Sequence, residues 1–113
     1  MLASWDAEEW GMIGSVEWIE EYENWLTETA VAYLNIDVAV SGPVPDFGAT
    51  PEFKTIADEL LKKVVHPSDG AFNQTLYDVW FDRTEGEYGV LGSGSDYTGF
   101  LHKGIGAVSI DSC

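Results

Sequence analysis

Basic side chains are scarce: 5 Lys and Arg stand against 20 Asp and Glu in 113 residues, a formal net charge of -15 at pH 7. A surface that holds nucleic acid or anionic membrane needs clustered cations to displace counterions. Lys54, Lys62, Lys63, Arg83 and Lys103 are too few and too scattered for that, which excludes phosphate polymers as partners. Cysteine is reduced to Cys113. A single thiol gives no internal disulfide and no Cys-based zinc cluster, and the redox compartment is not legible from it. No apolar run approaches the roughly 20 residues that cross a bilayer. Met1-Leu2-Ala3-Ser4-Trp5 also lacks the charged start, long apolar run and small-residue cleavage site of a signal peptide.

Apolar residues, by contrast, are plentiful. They make up 45% of the chain, and Trp5, Trp10, Trp18, Trp25 and Trp80 are among them. That content is too high for an acidic disordered tail and predicts a packed domain. Met1 to Trp5 reads as a buried strand, followed by a loop from Asp6 to Gly11. Ser15 is placed to cap a helix that runs to about Thr27, with Trp18, Ile19, Tyr22, Trp25 and Leu26 on one face. Ala30 to Ile36 is a nearly continuous apolar run, which suits a strand covered on both faces.

Ser41 to Asp46 carries two prolines and a glycine and breaks regular structure. Thr50-Pro51 then opens a second helix with the stripe Phe53, Ile56, Ala57, Leu60, Leu61 and Val64, and His66-Pro67 closes it. Asn73 to Phe81 holds one or two helical turns, Asp82 to Gly94 is a loop, Ser95 to Lys103 a short helix, and Ile105 to Ile110 a last strand. Strands alternating with helices predict an α/β sheet, since parallel neighbours need crossover helices. Chemistry in such sheets sits beyond the carboxyl ends of strands.

That rule selects Asp6-Ala7-Glu8-Glu9 and Asp37. Like charges side by side cost free energy unless a cation or a raised pKa relieves them. The pattern is open to two readings, a solvated acidic loop or a divalent-cation site with one Glu left free as a base. A third loop, Gly92-Ser93-Gly94-Ser95-Asp96, offers backbone that a substrate can approach closely.

Three motifs, in order, carry a resemblance. Ser4-Trp5-Asp6-Ala7-Glu8-Glu9-Trp10-Gly11-Met12-Ile13-Gly14-Ser15, then Ala32-Tyr33-Leu34-Asn35-Ile36-Asp37, then Leu91-Gly92-Ser93-Gly94-Ser95-Asp96-Tyr97 resemble the catalytic domain of the glutamate carboxypeptidase II family of di-zinc metallopeptidases, which also contains the transferrin receptor. The resemblance implies an α/β three-layer sandwich with a mostly parallel central sheet, of the zinc-peptidase (phosphorylase/hydrolase-like) type and incomplete in this chain. It implies peptide hydrolysis by metal-activated water, of an exopeptidase kind, either carboxypeptidase- or dipeptidase-like.

By the same resemblance Glu8 is the general base, and Glu9 and Asp37 are ligands of the two zinc ions. A carboxylate bound to metal is a poor base, so this division of roles between neighbours is chemically sensible. Glu17 and Glu20 match positions that hold a structural calcium in the family, against the plainer reading of a solvated helix face. Ser93, Gly94 and Ser95 match the loop lining the pocket for the substrate's terminal residue. Ser95 stands where the family's type enzyme has Asn, which shortens the side chain and puts a preference for terminal glutamate in doubt.

The family's zinc pair takes five protein ligands, of which Glu9 and Asp37 match; an early His, a bridging Asp and a late His have no counterpart here. His66 and His102 match none of them. Residues 1–113 therefore read as the central part of a larger catalytic domain, its upstream and downstream portions missing, and inactive on its own because catalytic zinc normally takes three protein ligands. The implied partners are a peptide substrate and, as often in the family, a second copy of the protein. Two rival expectations stand beside this one: a non-catalytic binding module of the transferrin-receptor kind, and a truncated gene product. Asn73-Gln74-Thr75 fits the N-glycosylation pattern. Together with the resemblance it favours a lumenal, vacuolar or extracellular location, with anchoring by a segment outside this chain.

Overall fold

A computed structural model of the chain describes residues 1–67 and 73–113. Its sheet has three strands: β1 (Tyr33–Asn35), β2 (Pro45–Ala49) and β3 (Ala107–Ser112). The order is β1-β3-β2, with β1 parallel to β3 and β2 antiparallel to it, so the sheet is mixed. Among the described residues five helices flank it: α1 (Ile13–Glu21), α2 (Glu23–Thr29), α3 (Lys54–Leu61), α4 (Leu76–Thr84) and α5 (Tyr97–His102). Single 3-10 turns at Glu8–Trp10 and Pro51–Phe53 precede α1 and α3.

The α/β class expected from the alternation is thus present, with several corrections. Met1 to Trp5 forms no strand: Leu2 is fully exposed, and no described strand pairs with this segment. An extended apolar run becomes a strand only where another backbone completes its ladder. β1 is shorter than its apolar run and is covered on one face only, Leu34 being 62% exposed. β2 starts at Pro45, inside the stretch read as irregular. A proline at the first residue of a strand on the sheet's edge loses no ladder bond.

The expected first helix is two helices, interrupted at Tyr22. Ser15 is not its cap: Met12 holds that position, and Ser15 lies buried inside α1. Thr50 does precede Pro51, but its hydroxyl bonds the carbonyl of Ala107 on β3 instead of capping, and α3 already ends at Leu61.

Side chains alternate across β3 and so meet two apolar clusters. Tyr33, the register partner of Ala107, packs with Ile19, Leu26, Phe100 and Ile105, joining α1, α2 and α5. The Tyr33 and Phe100 rings stack at 4.1 Å between centroids. Val108 packs with Phe47, Ala49, Trp80 and Tyr88, joining α3 and α4 through Ala57, Leu61 and Tyr77. Trp80 is wholly buried and is met edge-on by Phe47 and Tyr77.

Helix α4 begins with a reciprocal cap. The Thr75 hydroxyl accepts from the Asp78 N–H, and the Asp78 carboxylate accepts from the Thr75 N–H at 2.8 Å. The Thr75 N–H, then its hydroxyl, hold the Asp78 carboxyl below its ordinary pKa. A depressed carboxylate pKa adds stability above the unfolded pKa that is lost as pH falls through the folded one. Thr75→Ala, which removes this N-cap, is expected to lower stability by about 1 kcal/mol at neutral pH. The gap to the parent chain should narrow once acid protonates Asp78. Urea unfolding at several pH values measures both, and a gap that widened in acid would contradict the assignment.

Candidate functional site

Glu8 and Glu9 open the 3-10 turn after Asp6, and this turn is held unusually tightly for an acidic loop. Ala7 sits in the left-handed region at φ 56°, a conformation that costs a side-chain-bearing residue about 1–2 kcal/mol. Gly11, at φ 96°, meets the same demand without a Cβ. Backbone bonds compensate: Met12 N–H and Gly11 N–H donate to the Glu8 carbonyl, Ile13 N–H to Ala7, and Gly14 N–H to Asp6 at 3.0 Å. A Cβ on Gly14 would lie 2.5 Å from the Asp6 carbonyl oxygen, so the close seating of the acidic turn on α1 requires glycine there.

Asp37 follows β1. Residues two apart on an extended chain share a face, and Asn35 and Asp37 both meet Ser95. The Ser95 hydroxyl donates to Asp37 Oδ2 at 2.7 Å, while Asn35 Nδ2 donates to Ser95 Oγ at 3.2 Å. The other amide hydrogen of Asn35 goes to Ser109 Oγ at 3.3 Å, and Ser109 donates to Asp111. Beside Ser95, Asp96 accepts from the Ser15 hydroxyl at 2.6 Å, which pins the loop to α1. Ser95, Asn35, Asp96 and Ser15 are all buried, whereas Glu9, Asp37, Ser93 and Gly94 are exposed.

The charges of these loops act on one another. Partial desolvation, then repulsion from Glu9, Asp37 and Asp96, raises the Glu8 carboxyl above its ordinary pKa. Asp37 and Asp96 also act on Tyr33, whose pKa is raised chiefly by burial although the Trp5 indole donates to its oxygen at 3.0 Å. Both described salt bridges involve other acids, Asp46 and Glu23.

Glu8 thus lies within electrostatic reach of Glu9, Asp37 and Asp96, and hydrogen bonds add Asn35 and Ser15 to the network. Asp96 has a sequence signal, since it follows Ser95 directly. Asn35 has one too, at two residues before Asp37. Ser15 has none beyond its position, because its partner is 81 residues away. Glu17 and Glu20 lie exposed on α1. His66 is buried with Nε2 2.6 Å from the Pro43 carbonyl, and His102 ends α5. Neither of two described concavities is lined by Glu8, Glu9 or Asp37. One concavity of about 160 Å³ adjoins Tyr97, Ser109 and Asp111, and an apolar groove of about 670 Å³ adjoins Trp5, Trp25 and Ile36.

Does this donor set fit the zinc pair that the resemblance implies? In kind it does: hard carboxylate oxygens with uncompensated charge are what a divalent cation relieves. In number it does not, because among the described residues no three His, Cys, Asp or Glu side chains come close enough to hold one ion.

Asp37, just past the carboxyl end of β1, lies where open α/β sheets bind ligands. The chain belongs to peptidase family M28, whose pattern matches residues 1–112. It is 60% identical over 108 residues to a probable glutamate carboxypeptidase of Arthroderma benhamiae, covering 96% of this chain and 15% of that protein. It is 43% identical over 116 residues to the probable glutamate carboxypeptidase LAMP1 of Arabidopsis thaliana (97% and 16%). With the aminopeptidase NAALADL1 of Mus musculus it shares 37% over 121 residues (98% and 16%). The chain therefore spans about one-sixth of the length of these curated relatives.

Two outcomes test this geometry. Asp96→Asn removes one of the negative neighbours of Glu8 and is expected to move its titration down toward the ordinary carboxylate range, followed by carbon-detected NMR; an upward move would contradict the electrostatics. Gly14→Ala is expected to destabilise the chain by about 1–3 kcal/mol through overpacking against Asp6, read by thermal unfolding.

Proposed function

We propose that the chain is the central part of a peptidase catalytic domain that removes a terminal residue from peptides with the help of a zinc pair. The complete domain in this reading is a three-layer α/β sandwich whose mostly parallel sheet continues beyond the strands seen here. The observation that carries the proposal is the convergence of the Glu8–Glu9 turn and Asp37 at one end of β1, electrostatically coupled and fastened through Ser95 and Asp96. The M28 pattern over residues 1–112 and the peptidase names of the relatives support it.

In this reading Glu9 and Asp37 would each offer one carboxylate to a metal pair completed by residues outside this chain, and the metal would supply Lewis-acid polarisation of a carbonyl. Glu8 is left to move protons. Its raised pKa brings it closer to neutrality, where a carboxylate both takes a proton from attacking water and returns it to the leaving amine. The rigid turn through Ala7 and Gly11 holds Glu8 beside Glu9 without sharing its role. Ser93 and Gly94, exposed in the loop next to Asp37, would contact the substrate's terminal residue. Glu17 and Glu20 remain candidates for a structural calcium on α1. Exposed Asn73, in Asn73-Gln74-Thr75, is consistent with a lumenal or extracellular location.

Two of five ligands do not make a zinc pair. The purified chain is accordingly expected to show no peptidase turnover on N-acetyl-alanyl-glutamate with added zinc, and turnover would refute the assignment of a partial site. In the complete domain, Glu8→Gln is expected to lower kcat by about 100-fold to 10,000-fold with KM held. Full activity of that variant would remove Glu8 from its role.

A further inference from the structure

We propose that the cavity of about 160 Å³ between β2, β3 and the start of α5 binds a primary ammonium group, of the kind a lysine side chain carries. Its floor is one face of the sheet. Asp46 and Gly48 of β2 lie opposite Asp111 and Ser109 of β3 in the antiparallel register, and residues two apart on a strand share a face. Leu91 leans over this floor, which requires glycine at 48, since a Cβ there would lie 2.6 Å from Leu91 Cδ2. Tyr97, the first residue of α5, also lines the cavity.

Two independent features call for a cationic ligand. The first is charge. Carboxylates directly opposite each other on neighbouring strands repel, yet Asp46 faces Asp111 in the register. Arg83 Nη2 reaches Asp46 Oδ1 at 3.0 Å, and no described salt bridge reaches Asp111. The second is Tyr97. It is 9% exposed, and its hydroxyl makes no hydrogen bond to any described residue. A polar group so deeply placed is ordinarily paired. A Cβ on Gly94 would lie 3.2 Å from this hydroxyl, so the glycine leaves it uncovered.

The acceptors left over decide the kind of cation. Asp111 Oδ2 is taken by the Ser109 hydroxyl at 2.9 Å, and Asp46 Oδ1 by Arg83 and the Phe47 N–H, which leaves Asp111 Oδ1 and Asp46 Oδ2 open. With the Tyr97 oxygen they make three acceptors, the number of hydrogens on an ammonium group. A metal ion fits less well: among the described residues no three His, Cys, Asp or Glu side chains come close enough to hold one. Leu91 supplies apolar surface for the methylene stem behind such a head.

Ser109 joins the cavity to the acidic end of β1. It accepts from Asn35 at 3.3 Å, and Asn35 donates to Ser95, the partner of Asp37. Under the proposed function the ammonium is therefore a basic side chain of the peptide substrate. That extension rests on the peptidase reading, whereas the binding itself needs neither metal nor turnover.

The test is a titration of the purified chain with Nα-acetyl-lysine N-methylamide, followed by backbone amide NMR with no metal added. Saturable shifts are expected at Gly48, Gly89 and Ser109, which line the cavity, and none with the norleucine analogue, which keeps a similar stem and lacks the charge. Asp111→Asn, close in shape, is expected to weaken binding about 10-fold to 100-fold, and Tyr97→Phe about 2-fold to 10-fold. Amide spectra of both variants, unchanged away from the cavity, show that they fold, and the norleucine comparison needs the parent chain alone. Butylammonium separates the two sources of the group: affinity equal to that of the lysine derivative assigns the cavity to free amines, and weaker affinity assigns it to a peptide side chain. Equal shifts with the norleucine analogue would overturn the proposal. So would the absence of saturable shifts at the cavity, or an affinity that Asp111→Asn leaves unchanged. Peptide hydrolysis enters none of these readouts, so a failure here is distinct from a failure of the hydrolytic reading.

Discussion

The parallel register of β1 against β3 is the constraint on which the rest depends. Tyr33 lies against Ala107, Leu34 against Val108 and Asn35 against Ser109. A shift by one residue would turn every side chain of β1 to the other face. Tyr33 would leave its stack on Phe100, and Asn35 would leave both serines that it orients. The packing of α5 and the direction of Asp37 thus follow from one ladder of backbone bonds. Leucine at 34 makes no comparable demand, since it faces outward.

Charge is the second organising term. A chain at -15 gains nothing by placing Glu8, Glu9, Asp37 and Asp96 within reach of one another, and two of its five basic residues pair with acids elsewhere. The repulsion is opposed by local bonds: the backbone of the Asp6 to Gly14 turn, the Ser15 hydroxyl on Asp96 and the Ser95 hydroxyl on Asp37. Perturbed carboxylates cluster at functional sites, and structural charge networks perturb them as well. The two apolar clusters, built around Ile19 and Trp80, provide the rigid support that this arrangement needs.

Much of the site was legible in the order of residues, because its members sit in short local motifs. Glu8 and Glu9 share one turn, Asn35 and Asp37 one strand end, Ser95 and Asp96 one loop. Helix α3 was visible through its apolar spacing and the Thr50-Pro51 start, and α4 as one or two turns within residues 73–81. Illegible were features that depend on a distant partner. Met1 to Trp5 is apolar enough for a strand but finds no described backbone to pair with, while β2 forms through a stretch containing two prolines because β3 lies beside it. Ser15 looked like a helix cap because serine favours that role. Asp96, 81 residues on, claimed its hydroxyl instead.

Sequence by itself determined the α/β class, written in the alternation of strand and helix patterns, and membership in peptidase family M28, carried by its motifs. Only the tertiary structure decided which acid feels which, and which hydroxyl serves which carboxylate. A hydrogen bond is directional and a Coulomb interaction falls with distance, and neither can be assigned until residues 8, 37 and 95 are brought together in space.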